Sequence, residues 1–227
     1  MVRDFLAQEG LYDCSWSETN ENQLVSASAD GSLKLWDLLT SDDFPVAQWA
    51  EHKAEAASVD WNLVAKDTFL SASWDSTIKL WDPHRPAALA TFTGHQGCVY
   101  NAVWSPRHPT HFASCAGDGA VRVWDARGGG GGACLQAVRA HEGEVLSVDW
   151  DKYAETVVYS GGVDHAIKAW DLRRPQAPLS IMHGHGYAVR RLKASPYRGG
   201  ALGSVSYDMS CRMWNTKVGG WMDVRLW

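Results

Sequence analysis

The sequence predicts an all-β fold assembled from about five copies of one small antiparallel meander. Three observations predict it: an excess of tryptophan, a recurring spacing of the Trp-Asp pair, and short β-type runs divided by turn residues. Thirteen of the 227 residues are tryptophan, and composition that skewed means a repeated motif carries the residue. Aligning Trp-Asp or Trp-Asn pairs gives Trp36-Asp37, Trp81-Asp82, Trp124-Asp125, Trp170-Asp171 and Trp214-Asn215, separated by 45, 43, 46 and 44 residues. Six residues before each of these tryptophans stands an Asp (Asp30, Asp75, Asp118, Asp164, Asp208), and four before each Asp a Ser (Ser26, Ser71, Ser114, Ser160, Ser204).

Taken in order, the first unit (residues 7–48) carries Trp16 and the turn Ala-Asp-Gly-Ser, and has Ala7 at the place where later units have a histidine. The second (49–91) adds His52 to Trp61, Ser71, Asp75 and Trp81, with the turn Trp-Asp-Ser-Thr. The third (92–137) repeats this as His95, Trp104, Ser114, Asp118 and Trp124, around Gly-Asp-Gly-Ala. In the fourth (138–181), His141, Trp150, Ser160, Asp164 and Trp170 recur, and the runs Val-Leu-Ser-Val-Asp-Trp, Thr-Val-Val-Tyr-Ser and Ala-Ile-Lys-Ala-Trp read as three strands. The fifth (182–227) has His185, Ser204, Asp208 and Trp214 around Tyr-Asp-Met-Ser. Each His lies 23 residues before its Asp, so all length variation falls between a Trp-Asp pair and the next His, where a surface loop tolerates it. The turn Asp is suited to accept backbone hydrogen bonds in a tight turn.

These residues, from about 10 to 215, resemble the WD-repeat family, which implies a single β-propeller domain of four-stranded blades around a central channel. The resemblance further implies that His, Ser, Asp and Trp at the repeated positions form a buried hydrogen-bonded tetrad, a network that specifies one blade geometry when all its members are satisfied. Glu-His and Ala-His stand for the usual Gly-His in the second and fourth units, and Asn215 for Asp in the fifth. Propellers of this family usually have seven blades closed by pairing their two ends. The five units here, and the ending 219–227 that leaves the pattern, are expected to be an incomplete, truncated part of such a ring.

Composition narrows the function classes. Net charge is −5, from 26 acidic and 21 basic residues, and no basic run gathers phosphates, which argues against nucleic acid as a partner. Five cysteines without close CxxC pairing (Cys14, Cys98, Cys115, Cys134, Cys211) mostly sit in strand-like stretches, where they read as small apolar residues of a reducing compartment. No stretch reads as a signal peptide or reaches membrane-spanning length, so cytoplasmic residence without membrane insertion is expected. The histidines are absorbed by the repeat; His141-Glu-Gly-Glu144 lacks the second His of a zinc-protease helix, and His183 and His185 flank a single Gly. The glycine run 128–132 is not followed by Lys-Ser/Thr and reads as a loop rather than a phosphate cradle. No free nucleophile, acid and base converge, so no catalytic residue, metal or cofactor is expected and the chain reads as a binding module.

Function is then to be sought at positions the repeat leaves free. In the WD-repeat family the channel mouth is built by the residues three and five after the His position and the one before the turn Asp. Here these are Gly10, Tyr12 and Ala29; Glu55, Ala57 and Trp74; Cys98, Tyr100 and Gly117; Glu144, Leu146 and Val163; and Ala188, Arg190 and Tyr207. Several stretches also resemble one branch in particular, the receptors for the type 2 peroxisomal targeting signal: Gly-Leu-Tyr-Asp-Cys-Ser-Trp-Ser-Glu (10–18), Ser-Trp-Asp-Ser-Thr-Ile-Lys-Leu-Trp-Asp-Pro (73–83), Val-Tyr-Asn-Ala-Val-Trp-Ser-Pro (99–106) and Tyr-Ala-Val-Arg-Arg-Leu-Lys-Ala-Ser-Pro (187–196). That resemblance implies a cytosolic receptor cycling to the peroxisome, which binds an N-terminal helical signal with Arg and His on matrix proteins and works with a co-receptor and docking proteins. Glu55 and Glu144 would pair with the signal's cations, with Tyr12, Trp74, Tyr100, Leu146 and Tyr207 receiving its apolar face and Arg190 beside them. An alternative comes from Trp124-Asp-Ala-Arg127 and Trp170-Asp-Leu-Arg173, which resemble substrate receptors of cullin-RING ubiquitin ligases and would place Arg127 and Arg173 against the ligase adaptor. A generic WD-repeat scaffold, with both arginines as solvated loop charges, is the plain reading of the same residues.

Overall fold

The computed structural model describes residues 9–40, 44–128, 134–217 and 220–222. Ala7, Gly129 to Gly132 and most of the ending 219–227 lie outside the described residues. Five four-stranded antiparallel sheets make up the fold among the described residues. The first holds β1 (Leu11–Trp16), β2 (Gln23–Ser28), β3 (Leu33–Asp37) and β4 (Ala47–Trp49); the second β5 (Ala56–Trp61), β6 (Phe69–Ser73), β7 (Ile78–Trp81) and β8 (Ala90–Phe92). Then come β9 (Val99–Trp104), β10 (His111–Ala116), β11 (Ala120–Asp125) and β12 (Cys134–Arg139), followed by β13 (Val145–Trp150), β14 (Val157–Gly162), β15 (Ile167–Asp171) and β16 (Ser180–Met182). The last sheet is β17 (Val189–Ala194), β18 (Ala201–Ser206), β19 (Cys211–Asn215) and β20 (Gly220–Met222). Strands within each sheet pair in chain order, and successive first strands pack side by side, so the sheets are the blades of a β-propeller with β1, β5, β9, β13 and β17 innermost.

A sheet packed on both faces buries both sides of its strands, which explains why the middle strands read as continuous apolar runs rather than alternating ones. Strand β10 is buried from Phe112 to Ala116. The core lies in the seams between blades. Val25, Ala27, Leu33 and Leu35 of the first sheet meet Ala56, Val59, Trp61, Phe69 and Trp81 of the second. Leu70, Ala72, Ile78 and Leu80 meet Trp104, Phe112 and Trp124 in the next seam. Val103, Ala113, Cys115, Val121 and Val123 meet Trp150, Val158 and Trp170 in the third.

The innermost strand of each blade is a sheet edge, whose outward amides lack a strand partner and would be costly if left dry. Side chains of the preceding blade supply acceptors. Ser58 Oγ accepts the Ala102 amide at 3.1 Å and Asp60 the Trp104 amide at 2.7 Å. Asn101 accepts from Val148, Ser147 from Leu192 at 3.0 Å, and Asp149 from Ala194 at 2.8 Å.

Four blades carry the full tetrad. His52 joins Asp75 through Nδ1 (2.9 Å) and Ser71 through Nε2 (2.7 Å), and Trp81 Nε1 donates to the same Ser71 Oγ at 2.8 Å. His95, Asp118, Ser114 and Trp124 repeat the arrangement, as do His141, Asp164, Ser160 and Trp170, and His185, Asp208, Ser204 and Trp214. In the first blade Trp36 Nε1 donates to Ser26 Oγ at 2.8 Å, and Asp30 accepts the Ser32 amide. Burial would raise the pKa of Asp75, but hydrogen bonds from His52, Thr77 and the Lys53 amide outweigh it and hold the carboxylate far below its ordinary 3.8.

The cysteines do not all behave as buried apolar residues: Cys115 does, whereas Cys14, Cys134 and Cys211 are exposed. Cys14 belongs to β1, beside the central cavity, and Cys211 to β19 of the fifth sheet.

Candidate functional site

Two recurring backbone devices present the free positions on one face of the propeller. Register shifts flank Tyr12, Ala57, Tyr100, Leu146 and Arg190, one near the start of each innermost strand, so each is the extra residue of a β-bulge. A bulge redirects a side chain out of the ladder. The other two positions of each blade are joined through the main chain: Ala29 N–H donates to Gly10 O, Trp74 to Glu55, Gly117 to Cys98, Val163 to Glu144, and Tyr207 to Ala188. The turns beside them hold the chain in the left-handed region, at Gly31 and Gly119 in two blades and at Ser76, His165 and Met209 (φ 62–68°) in the others.

An unbroken aromatic line crosses three blades on this face and ends on a carboxylate in a fourth. The Tyr12 and Trp74 rings are 5.6 Å apart, Trp74 meets Tyr100 edge-on at 6.3 Å, and Tyr100 Oη donates to Glu144 Oε2 at 3.1 Å. Burial and the neighbouring Glu144 carboxylate, partly offset by Arg190, push the Tyr100 phenol up to about 12, which keeps it a hydrogen-bond donor at neutral pH. The Trp74 indole N–H is buried without a hydrogen-bond partner among the described residues.

Glu55 is half-buried beside Trp74, to which its carbonyl is bonded. Tyr207 stands 61% exposed. Leu146 is only 7% exposed and belongs to the floor, with little surface to offer. Spacing alone does not single out His165 and Tyr187, whose rings meet at a tilt 6.2 Å apart, or Met209, which is 99% exposed two residues from Tyr207. For His165 and Met209 the signal in the sequence is a non-glycine residue after the turn Asp, a strained position of the kind that concentrates at functional sites; Tyr187 has no such signal.

At the other ends of the strands, Arg127 and Arg173 fold back on the Asp of their own Trp-Asp pairs. Arg127 forks onto Asp125 with contacts down to 2.6 Å, and Arg173 onto Asp171 down to 2.7 Å. The guanidinium hydrogen bonds hold the Asp125 carboxyl at about 2. Both arginine side chains remain more than two-thirds exposed.

The channel itself is narrow, a cavity of about 250 Å³ walled by Asp13, Asp60, Asn101, Arg191 and Lys193 among others. Arg191 of the fifth blade reaches Asp13 of the first at 2.9 Å. Enclosure by the wall raises Asp60 to about 7, with Asp149 reinforcing it and the Trp104 amide, Lys193 and Lys152 opposing. Among the described residues no cluster of three or more His, Cys, Asp or Glu side chains could hold a metal ion, and no helix is long and apolar enough to cross a membrane.

Residues 2–37, 45–82, 87–125 and 132–171 match the family described as WD domain, G-beta repeat. The fifth sheet lies outside that match yet carries its own His185-Ser204-Asp208-Trp214 tetrad. Curated relatives named peroxisomal targeting signal 2 receptor are 43% identical in Homo sapiens over 95% of this chain and 66% of the relative, and 46% identical in Dictyostelium discoideum over 94% and 67%. The relative of that name in Saccharomyces cerevisiae is 35% identical over 94% of this chain and 69% of its own length. The chain thus spans about two-thirds of the length of the curated relatives it matches. With its repeats, its tetrads and these relatives together, the chain belongs to the WD-repeat family and, within it, to the family of peroxisomal targeting signal 2 receptors.

Proposed function

We propose that the chain is a receptor for the type 2 peroxisomal targeting signal, and that the Tyr12–Trp74–Tyr100–Glu144 line is where the signal lies. The relatives' name supports the ligand class, and the continuity of that line supports the choice of place. An amphipathic helix sets apolar residues on one side, for which aromatic rings are suitable anchors, and basic residues on its flank, for which Glu55 and Glu144 are acceptors. From the fifth blade, Arg190 acts on Tyr100 through its charge, and Tyr207 offers an exposed ring. The role is capture and hand-over rather than catalysis. Cargo is taken up in the cytosol and passed, with a co-receptor and docking proteins, to the import machinery.

A fluorescent type 2 signal peptide, titrated against the chain by anisotropy, tests the reading. Binding is expected for the native peptide and its loss when the signal's Arg and His become Ala. Glu144→Arg removes an acceptor and adds a repelling charge, and is expected to weaken capture by at least tenfold, about 1.4 kcal/mol. Equal binding by Glu144→Arg would refute the placement, and equal binding of the Ala-substituted peptide the ligand class. The adaptor reading of Arg127 and Arg173 has the two aspartate forks as its background. Co-purification of a ligase adaptor, lost on Arg173→Asp, would restore it.

A further inference from the structure

The seam between the fourth and fifth blades departs from the other three. Trp61, Trp104 and Trp150 occupy one position at the end of β5, β9 and β13 and are each at most 3% exposed. They fill the seam against the preceding blade: Trp61 with Val25 and Leu35, Trp104 with Leu70 and Leu80, Trp150 with Ala113 and Val123. In the fifth blade that position is Ala194, and the residues it faces are Tyr159 and Ala169. Tyr159 refills part of the space and is tied back by hydrogen bonds to Asp151 (2.5 Å) and Thr216 (3.3 Å).

Two further losses keep this seam open. Leu172 packs onto the third seam, but its counterpart in the fifth blade is the smaller Thr216. Gln136, opposite Val123, crosses the third seam to the Leu172 carbonyl at 3.0 Å. Its counterpart Ser180, opposite Ala169, is too short to cross, and its Oγ is buried without a partner. The result is a cavity of about 620 Å³ lined by Tyr159, Ala169, Leu179, Ser180, Gly200 and Thr216 among others, within the roughly 300–1,000 Å³ of ligand sites. Leu179 stands 59% exposed at its mouth.

We infer that this seam is a binding site for a tryptophan side chain presented by a partner peptide, which enters the part of the seam that Tyr159 leaves open. Indole suits the space for the reason it suits the other seams. It is flat and it matches the spacing between two packed sheets, as Trp61, Trp104 and Trp150 do in the other seams. The site lies at the opposite ends of the strands from Trp74 and Tyr100, so it does not rest on the signal-binding reading.

The probe is acetyl-Gly-(5-fluorotryptophan)-Gly-amide, followed by fluorine NMR against the 227-residue chain, with acetyl-Gly-(4-fluorophenylalanine)-Gly-amide for comparison. Saturable broadening and shift of the fluorotryptophan signal are expected, weaker for the phenylalanine peptide. The double variant Ala194→Trp/Tyr159→Ala copies the Trp150/Ala113 pair of the third seam and is expected to abolish the response while signal-peptide capture persists. Ser180→Gln copies Gln136 and is expected to weaken it. No saturable response from the native chain, or an undiminished one from a folded double variant, overturns the inference. Should the double variant fail to fold, an undiminished response from Ser180→Gln overturns it.

Discussion

Ser114→Ala removes one oxygen at the centre of the third blade and should be among the most damaging small changes the chain can suffer. Ser114 is fully buried, and its Oγ serves both His95 Nε2 (2.7 Å) and Trp124 Nε1 (2.8 Å). Alanine leaves two buried polar groups unpaired, each costing about 1–3 kcal/mol, so a loss of about 2–6 kcal/mol is expected. The first blade provides an internal comparison. Ser26 also accepts from Trp36, but the first unit has Ala7, which has no ring nitrogen, at its histidine position. Among the described residues Ser26→Ala therefore breaks one side-chain bond, to the tetrad tryptophan, rather than two, and about half the loss is expected. Urea unfolding followed by tryptophan fluorescence and far-ultraviolet circular dichroism reads both. A Ser114→Ala midpoint close to wild type, or a Ser26→Ala loss as large as that of Ser114→Ala, would refute the view that the tetrad is held through its shared serine.

Titration of the tetrads should weaken the fold in two stages as pH falls. Burial lowers His95 and His141 below 6.5 against the opposing pull of Asp118 and Asp164, so the unfolded chain binds protons there that the folded chain does not, and stability falls as pH drops below about 6.5. Asp75, Asp118, Asp164 and Asp208 sit below 3.8, their hydrogen bonds outweighing burial, and a second loss follows below that value. In an Asp60→Asn background, where the opposing titration of Asp60 is removed, urea midpoints that rise on acidification from pH 7 to 5 would refute this. Asp60 has the opposite sign. Its raised pKa of about 7 means that stability is lost as pH rises from 3.8 through 7, so Asp60→Asn, which keeps an acceptor for the Trp104 amide, should raise the midpoint at pH 8 and lose that advantage towards pH 4. Met209→Gly relieves a left-handed residue costing about 1–2 kcal/mol, less the extra freedom glycine has when unfolded, for a net gain of about 0.5–1 kcal/mol in the same assay. A loss would show that the exposed side chain contributes contacts.

The architecture was legible because each blade repeats a hydrogen-bonded set whose members cannot be exchanged for apolar residues: the spacing of His52, Ser71, Asp75 and Trp81 is the spacing of their bonds. The positions of the candidate face could be counted for a related reason, since every blade bulges at the same residue and ties its turn to its innermost strand with the same amide. What those side chains do once there was not legible. Leu146 shares a register with Tyr100 and Arg190 but sinks into the floor, because a leucine gains more from the seam than from solvent. Tyr187 and His165 come together from different blades, and their contact depends on how the blades stack. The open fourth seam had a trace in the sequence, alanine at 194 where the other units have tryptophan, but its volume depends on Ala169, Ser180 and Thr216 being small together.

The bonds from innermost-strand side chains to the next blade's amides all run the same way around the axis, so damage should surface away from its cause. Ser58 belongs to the second blade but its hydroxyl holds an amide of the third; Ser147 belongs to the fourth and holds one of the fifth. Deleting either hydroxyl leaves its own sheet fully paired. In amide hydrogen exchange Ser58→Ala should expose Ala102, and Ser147→Ala should expose Leu192, each one repeat downstream of the altered residue. A variant map of this protein read blade by blade would then assign such positions to the wrong blade, and the needed correction is a shift of one repeat toward the C-terminus.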